Sequence, residues 1–155
     1  MDRRTFLLLA TALGFAGRVK AQPASGERYH AARDSRITLL YLGQATCVPC
    51  RGYEAEYFGR MHRMATSFPE FGEVDYLKLS MGSGKATVSA SQLPDHLKWI
   101  ATEQRDGAAV LQNRGTPFFA GIVDTEVWAQ GDGVAALEGS VIPALRRAVQ
   151  QKRSA

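Results

Sequence analysis

Residues 37–50 read Ile37-Thr38-Leu39-Leu40-Tyr41-Leu42-Gly43-Gln44-Ala45-Thr46-Cys47-Val48-Pro49-Cys50. The first six form a near-continuous apolar run rich in strand-forming residues, which predicts a buried central strand. The stretch ends in a Cys-x-x-Cys spacing, and these are the only two cysteines of the chain. The chain-entropy model credits a disulfide across so short a spacing with only about 2 kcal/mol, against roughly 3 kcal/mol for a 15-residue loop. The pair therefore indicates redox chemistry rather than a structural crosslink.

The rest of the chain alternates between helix and strand patterns. Apolar side chains recur at helical spacing after the cysteines, and Pro49 falls in the first turn of that helix, where its missing N–H costs nothing. The predicted elements after the first strand are a helix over 48–68, a strand over 74–79, a helix over 93–111 that Gly107 could divide, strands over 118–123 and 126–130 joined as a hairpin, and a helix over 134–151. This order predicts an α/β layer fold with a mixed sheet.

The first residues have the pattern of an export signal. Arg3 and Arg4 precede an apolar stretch of about a dozen residues, whereas a membrane-spanning helix needs about 20. Paired arginines resemble the twin-arginine signal that exports folded proteins in bacteria, an ordinary secretory signal being the alternative. We predict a periplasmic protein with no stable membrane span after processing. Its segments are a signal peptide over 1–21, a linker over 22–35 and one domain over 36–151.

The charge balance gives no argument for a nucleic-acid partner. The formal net charge is +4, and removal of residues 1–21 takes away four basic residues and one acidic residue, so that +1 remains. A bacterial periplasm is kept oxidising, and two thiols there either form a resting disulfide or are actively reduced.

The order of elements, with Cys47-Val48-Pro49-Cys50 at the first strand-to-helix junction and Gly115-Thr116-Pro117 before the third strand, resembles the thioredoxin superfamily. The resemblance covers about residues 35–151 and implies a thioredoxin-like fold, a mixed central sheet flanked by helices, with an extra loop and helix inserted before the proline. It also implies that Pro117 is a cis-proline beside the two sulfurs, with Thr116 as its partner. The chain departs from thioredoxin at Tyr41, since thioredoxin has an acidic residue six positions before the first cysteine.

The residues themselves assign roles to this predicted site. A helix amino end favours a thiolate, so we expect Cys47 to be the attacking thiol and the more buried Cys50 to resolve the mixed disulfide. Pro117 has no N–H, which leaves the backbone of Thr116 free to pair with a bound peptide strand. Together with Val48 and Pro49, whose dipeptide looks like that of exported thioredoxin-like reductases, this loop is the predicted substrate-binding surface.

The predicted activity is that of a thiol–disulfide oxidoreductase. We expect a monomer that reduces disulfides of protein substrates with no cofactor other than the Cys47–Cys50 disulfide, and the resemblance implies that a membrane thiol-reductant transporter reduces it again. The alternatives are a thiol oxidase, or a metallochaperone whose two thiolates hold Cu(I) with Met81 or Met64. No zinc site is predicted, because the three histidines, His30, His62 and His96, have the pattern of surface residues.

Overall fold

A computed structural model describes residues 29–55, 72–82 and 88–155 of the chain. The predicted signal peptide, the beginning of the predicted linker and the greater part of the helix predicted over 48–68 lie outside the described residues. The strands are β1 (Ile37–Gln44), β2 (Val74–Met81), β3 (Gln104–Arg105), β4 (Ala108–Ala109), β5 (Phe118–Val123) and β6 (Glu126–Asp132). The helices are α1 (Val48–Tyr53), α2 (Trp99–Thr102), α3 (Gly133–Ala136), a π-helical segment (Leu137–Val141) and α4 (Ile142–Ser154).

The four longer strands form one mixed sheet in the order β2-β1-β5-β6. β1 pairs parallel with β2 and antiparallel with β5, and β6 pairs antiparallel with β5. The two central strands, β1 and β5, are buried along almost their whole length, as their continuous apolar sequences predict. The α/β class and the mixed sheet expected from the order of elements are confirmed.

Side chains of the central strands alternate between two apolar clusters, one on each face of the sheet. On one face, Leu39, Tyr41 and Phe119 pack with Tyr53 of α1 and with the helical segment that ends in α4. On the other face, further residues of β1, β2 and β5 pack under the segment 88–111. The disulfide region therefore stands at the end of β1 on a sheet that is covered on both sides.

The segment 88–111 is not the helix that its apolar spacing predicts. It contains two 3₁₀ turns (Ala90–Gln92 and Asp95–Leu97), the single turn α2, and the short hairpin of β3 and β4. The hairpin turns at Asp106 and Gly107, whose φ angles are 54° and 76° and so lie in the left-handed region that ends a helix. The insertion before the proline is present, but it covers the sheet mostly as turns and a hairpin rather than as a helix.

The described part of the predicted linker is packed against the domain. The ring of Tyr29 lies 5.3 Å from that of Trp128, and Ala31 is fully buried and donates its N–H to Gln151 Oε1 at 2.9 Å. Lys152 Nζ donates to the carbonyl oxygen of Ser35 at 2.8 Å. Residues 29–35, which the sequence pattern assigns to the linker, thus place apolar and hydrogen-bonding groups against β6 and α4. Within the three described ranges, no helix is long and apolar enough to span a membrane.

Candidate active site

Cys47 and Cys50 form a disulfide at the junction between β1 and α1. The N–H of Cys47 donates to the carbonyl oxygen of Gln44 at 3.1 Å, which closes a tight turn after the strand. Cys47 then caps α1, because its Sγ accepts the N–H of Cys50 at 3.1 Å. Cys47 is partly exposed whereas Cys50 is fully buried. The sulfur of Cys47 is thus the one that another molecule can reach.

The second wall of the site is the loop that leads into β5. The Thr116–Pro117 peptide bond is cis, as the resemblance implies. The carbonyl oxygen of Thr116 lies 3.3 Å from Cys47 Sγ, so the loop and the disulfide are in direct contact. Within the described ranges, the N–H of Thr116 has no hydrogen-bond partner. The loop brings an unpaired backbone donor to the edge of the redox pair.

This loop is held in place by the end of β6. The N–H of Gly115 lies 3.1 Å from Asp132 Oδ1, and the N–H of Gly133 donates to the carbonyl oxygen of Pro117 at 2.7 Å. Hydrogen bonds to Asp132 and Gly133, where β6 ends and α3 begins, therefore hold the loop in position.

The structure brings together four of the six predicted site residues: Cys47, Cys50, Thr116 and Pro117. The other two, Val48 and Pro49, are exposed on the turn between the cysteines. Val48 is 67% exposed, which makes it the large apolar side chain most open to solvent in the described part of the chain.

A charged network that the sequence did not reveal surrounds the hydroxyl of Tyr41. Tyr41 is fully buried, and its hydroxyl donates to Glu54 Oε1 at 3.0 Å. The other carboxylate oxygen of Glu54 is 2.8 Å from Lys78 Nζ. Lys78 is the register partner of Tyr41 on β2, and the N–H of Glu54 bonds to the carbonyl oxygen of Cys50 one helical turn earlier. The carboxylate of Glu54, directly after α1, thus bonds both to the phenol of Tyr41 on β1 and to the ammonium group of Lys78 on β2.

The pKa values of this network keep its members in defined charge states. Hydrogen bonding from Lys78 lowers the pKa of Glu54, so this carboxylate is ionised at neutral pH. Burial, followed by the hydrogen bond to Glu54, raises the pKa of Tyr41, so its phenol stays neutral and serves as a donor. The arrangement is an ion pair with a neutral phenol bonded to its carboxylate, and that carboxylate stands one turn after Cys50.

The Glu54 network predicts a pH dependence of stability. Because the folded state lowers the pKa of Glu54, its contribution is complete above the unfolded value of about 4.3 and is lost as the pH falls through the folded pKa. Glu54→Gln should therefore unfold at lower urea concentration than the wild type at pH 7, and the difference should shrink at pH 3. Equilibrium urea unfolding at both pH values checks this, with Lys78→Met as a second variant. An equal difference at the two pH values would contradict the prediction.

The described residues offer little for a metal beyond the two cysteines. No group of three or more histidine, cysteine, aspartate or glutamate side chains that could hold a metal occurs within them. Met81, a candidate copper ligand, is buried in the apolar cluster with Leu40 and Leu42. His30 and His96 are exposed, while His62 and Met64 lie outside the described residues.

No protein-family model matches the chain, and no curated protein sequence matches it significantly. Among solved structures, the chain is similar to the periplasmic thioredoxin SoxS from Paracoccus pantotrophus in its reduced form. The sequence identity is 18%, the match covers 75% of this chain and 98% of that chain, and the TM-score is 0.43.

Three features of the structure itself define the architecture. They are the strand order β2-β1-β5-β6, the Cys-x-x-Cys disulfide where β1 gives way to α1, and the cis-proline loop in contact with the outer sulfur. The chain therefore has a thioredoxin-like fold in which the disulfide-bonded cysteines lie beside a cis-proline loop.

Proposed function

We propose that this protein is an exported thiol–disulfide oxidoreductase that reduces disulfides of other proteins through Cys47 and Cys50. The observation that carries the proposal is the asymmetry of the pair: one sulfur is partly exposed and touches the cis-proline loop, and the other is fully buried behind it. Such a pair suits two successive attacks in a fixed order.

The proposed reaction begins with the reduced pair. The Cys47 thiolate attacks one sulfur of the substrate disulfide, a mixed disulfide forms, and the first substrate sulfur leaves as a thiolate that takes up a proton. The Cys50 thiol then loses its proton and attacks Cys47 Sγ, which releases the second substrate thiol and leaves the Cys47–Cys50 disulfide. Two electrons pass from the cysteine pair to the substrate in each cycle.

The substrate is proposed to dock as an extended peptide along the loop before β5. The unpaired N–H of Thr116 offers a backbone hydrogen bond to such a peptide, as in the addition of a strand to a sheet edge. The exposed side chain of Val48 offers an apolar contact on the other side of the sulfur. Both features favour a polypeptide over a small thiol as the partner.

The surroundings of the pair favour the reducing direction over the oxidising one. Strong oxidants of this kind stabilise the thiolate of the reduced form. Here the N–H of Cys50 donates to Cys47 Sγ, but Pro49 contributes no N–H to the first turn, and the carbonyl oxygen of Thr116 can only accept a hydrogen bond, which limits the stabilisation of a Cys47 thiolate. The reduced pair is therefore proposed to be a good electron donor.

Repeated reduction requires a source of electrons. The periplasm that the N-terminal pattern predicts has no soluble reductant pool, so we propose a membrane thiol-reductant transporter as the partner that reduces the Cys47–Cys50 disulfide again. Export and this partner rest on the sequence pattern and on the resemblance.

The reduction potential tests the proposed direction. We expect a value near or below that of thioredoxin, about −270 mV, on equilibration of the mature chain with dithiothreitol redox buffers followed by alkylation and mass measurement. A value near −120 mV would instead make the protein an oxidant. Tight Cu(I) binding by the reduced chain, combined with negligible reduction of insulin disulfides, would favour the metallochaperone and overturn the enzymatic proposal.

A further inference from the structure

Gln44, the last residue of β1, contacts three parts of the chain: the turn at Cys47, the end of β2 and the cis-proline loop. Its carbonyl oxygen accepts the N–H of Cys47 at 3.1 Å. Its side-chain Nε2 donates to the carbonyl oxygen of Gly82 at 2.9 Å, at the point where the chain leaves β2. Its Oε1 lies 3.4 Å from the hydroxyl of Thr116 in the cis-proline loop.

The contact between Gln44 and Thr116 continues the sheet where the backbone ladder stops. β1 and β5 pair from Ile37 with Val123 to Leu42 with Phe118, and the same register, extended by two residues, places Gln44 opposite Thr116. Pro117 interrupts the ladder because it has no N–H. Side chains rather than backbone groups therefore join the two segments, and the Thr116 N–H stays unpaired within the described part of the chain.

The contacts with Gly82 and Thr116 determine the orientation of the Gln44 amide. The carbonyl of Gly82 can only accept a hydrogen bond, so it must face the NH₂ group. The amide oxygen then faces Thr116, whose hydroxyl donates to it. The hydrogen bond to Gly82 thus turns the amide oxygen of Gln44 toward the hydroxyl of Thr116.

We propose that Gln44 is a positioning residue for the docking of the substrate polypeptide. By holding the side chain of Thr116, it keeps the backbone of that residue against Cys47 Sγ and in line for pairing with an extended peptide. The proposal rests on the proposed function. It implies that Gln44 affects the capture of polypeptide disulfides and not the intrinsic reactivity of Cys47, since the cap on α1 is made by backbone and sulfur atoms alone.

The test compares a polypeptide disulfide with a small one. Gln44→Leu keeps the volume of the side chain and removes both hydrogen bonds. We expect its KM for insulin to rise about fivefold, with kcat within about twofold of the wild type, as for the loss of one or two ordinary hydrogen bonds. The rate at which reduced Cys47 reacts with the small aromatic disulfide DTNB should stay within the same factor of two.

Matched variants separate docking from a general loss of structure. Thr116→Val should raise the KM for insulin as Gln44→Leu does, and Thr116→Ser should restore it. The double variant Gln44→Leu/Thr116→Val should show no further rise, since both substitutions remove the same contact between Gln44 and Thr116. Gln150→Leu, at an exposed position of α4, is the control and should match the wild type.

Two outcomes would overturn the proposal. One is an unchanged KM for insulin in both Gln44→Leu and Thr116→Val, and the other is an equal change in the insulin and DTNB reactions. A wild-type chain that reduces no insulin would overturn the proposed function itself and this inference with it, so the two failures are distinguishable. If Gln44→Leu does not fold, the pair Thr116→Val and Thr116→Ser decides the same question.

Discussion

Replacement of Cys50 by serine should abolish turnover and leave substrate bound covalently to Cys47. Cys47 is the reachable sulfur, so the first attack still occurs, but the buried thiol that would resolve the mixed disulfide is absent. An intramolecular attack has an effective concentration many orders of magnitude above that of dissolved thiols, so turnover should fall by several orders of magnitude. Non-reducing electrophoresis after incubation with a periplasmic extract, followed by mass spectrometry, measures the adduct and names its partner.

The matched control for this experiment is Cys47→Ser. It keeps the buried thiol and removes the reachable one, so it should form no adduct in the same extract. Adducts on Cys47→Ser instead of Cys50→Ser would contradict the assignment of Cys47 as the attacking residue. The absence of adducts from both variants would contradict the proposed exchange reaction.

Replacement of Phe119 by alanine should have the largest effect on stability, about 3–5 kcal/mol of unfolding free energy. Phe119 is fully buried in β5, and its ring centroid lies 5.3 Å from that of Tyr41 and 4.8 Å from that of Tyr53. Its loss would leave a cavity beside the rings of Tyr53 and of Tyr41, whose hydroxyl bonds to Glu54. Because domains of this size are stable by only about 5–15 kcal/mol, the variant should unfold at a much lower denaturant concentration.

Urea unfolding of two comparison variants makes this prediction specific. Phe119→Leu keeps most of the buried volume and should lose clearly less stability than Phe119→Ala. Val48→Ala, at a side chain that is 67% exposed, should stay within about 0.5 kcal/mol of the wild type. A loss of less than 1 kcal/mol for Phe119→Ala would contradict the role of this ring as the centre of the cluster.

The four main strands and the central contact of the site were predictable because they depend on local sequence. A buried strand has a continuous apolar pattern, and β1 and β5 both show it. The cysteine spacing and the Thr-Pro pair are short motifs whose places in the order of elements identified them, and the structure puts Cys47 Sγ beside Thr116. The catalytic and substrate-binding roles of these residues stay predictions.

The insertion before the proline was predicted less well, because its apolar residues satisfy two patterns. Leu93, Leu97 and Ile100 have helical spacing, yet they cover the sheet from turns and one short helix. The signal that would have corrected the prediction is the pair Asp106-Gly107, a combination typical of two-residue hairpin turns. In this segment the local turn chemistry of Asp106 and Gly107 overrides the helical periodicity of the apolar residues.

The Glu54 network and the contacts of Gln44 could not be predicted, because they form between distant parts of the chain. Glu54 and Lys78 are 24 positions apart, and Gln44 and Thr116 are 72 positions apart. Nothing in the local sequence around Glu54 or Gln44 indicates these contacts. Only the parallel register of Tyr41 with Lys78, and the antiparallel register that approaches Thr116, bring these groups together.

The packing of residues 29–35 on α4 has a practical consequence for handling the protein. Ala31 and Ser35 contact Gln151 and Lys152, so the start and the end of the packed unit are neighbours. Both lie near the beginning of β1, whereas the cysteines follow its end. The two ends of this eight-residue strand are about 23 Å apart. An affinity tag, a fluorophore or a surface tether attached before Tyr29 or after Ser154 would therefore leave from the end of the domain far from the sulfur atoms, and immobilised protein would keep its reactive side open to solution.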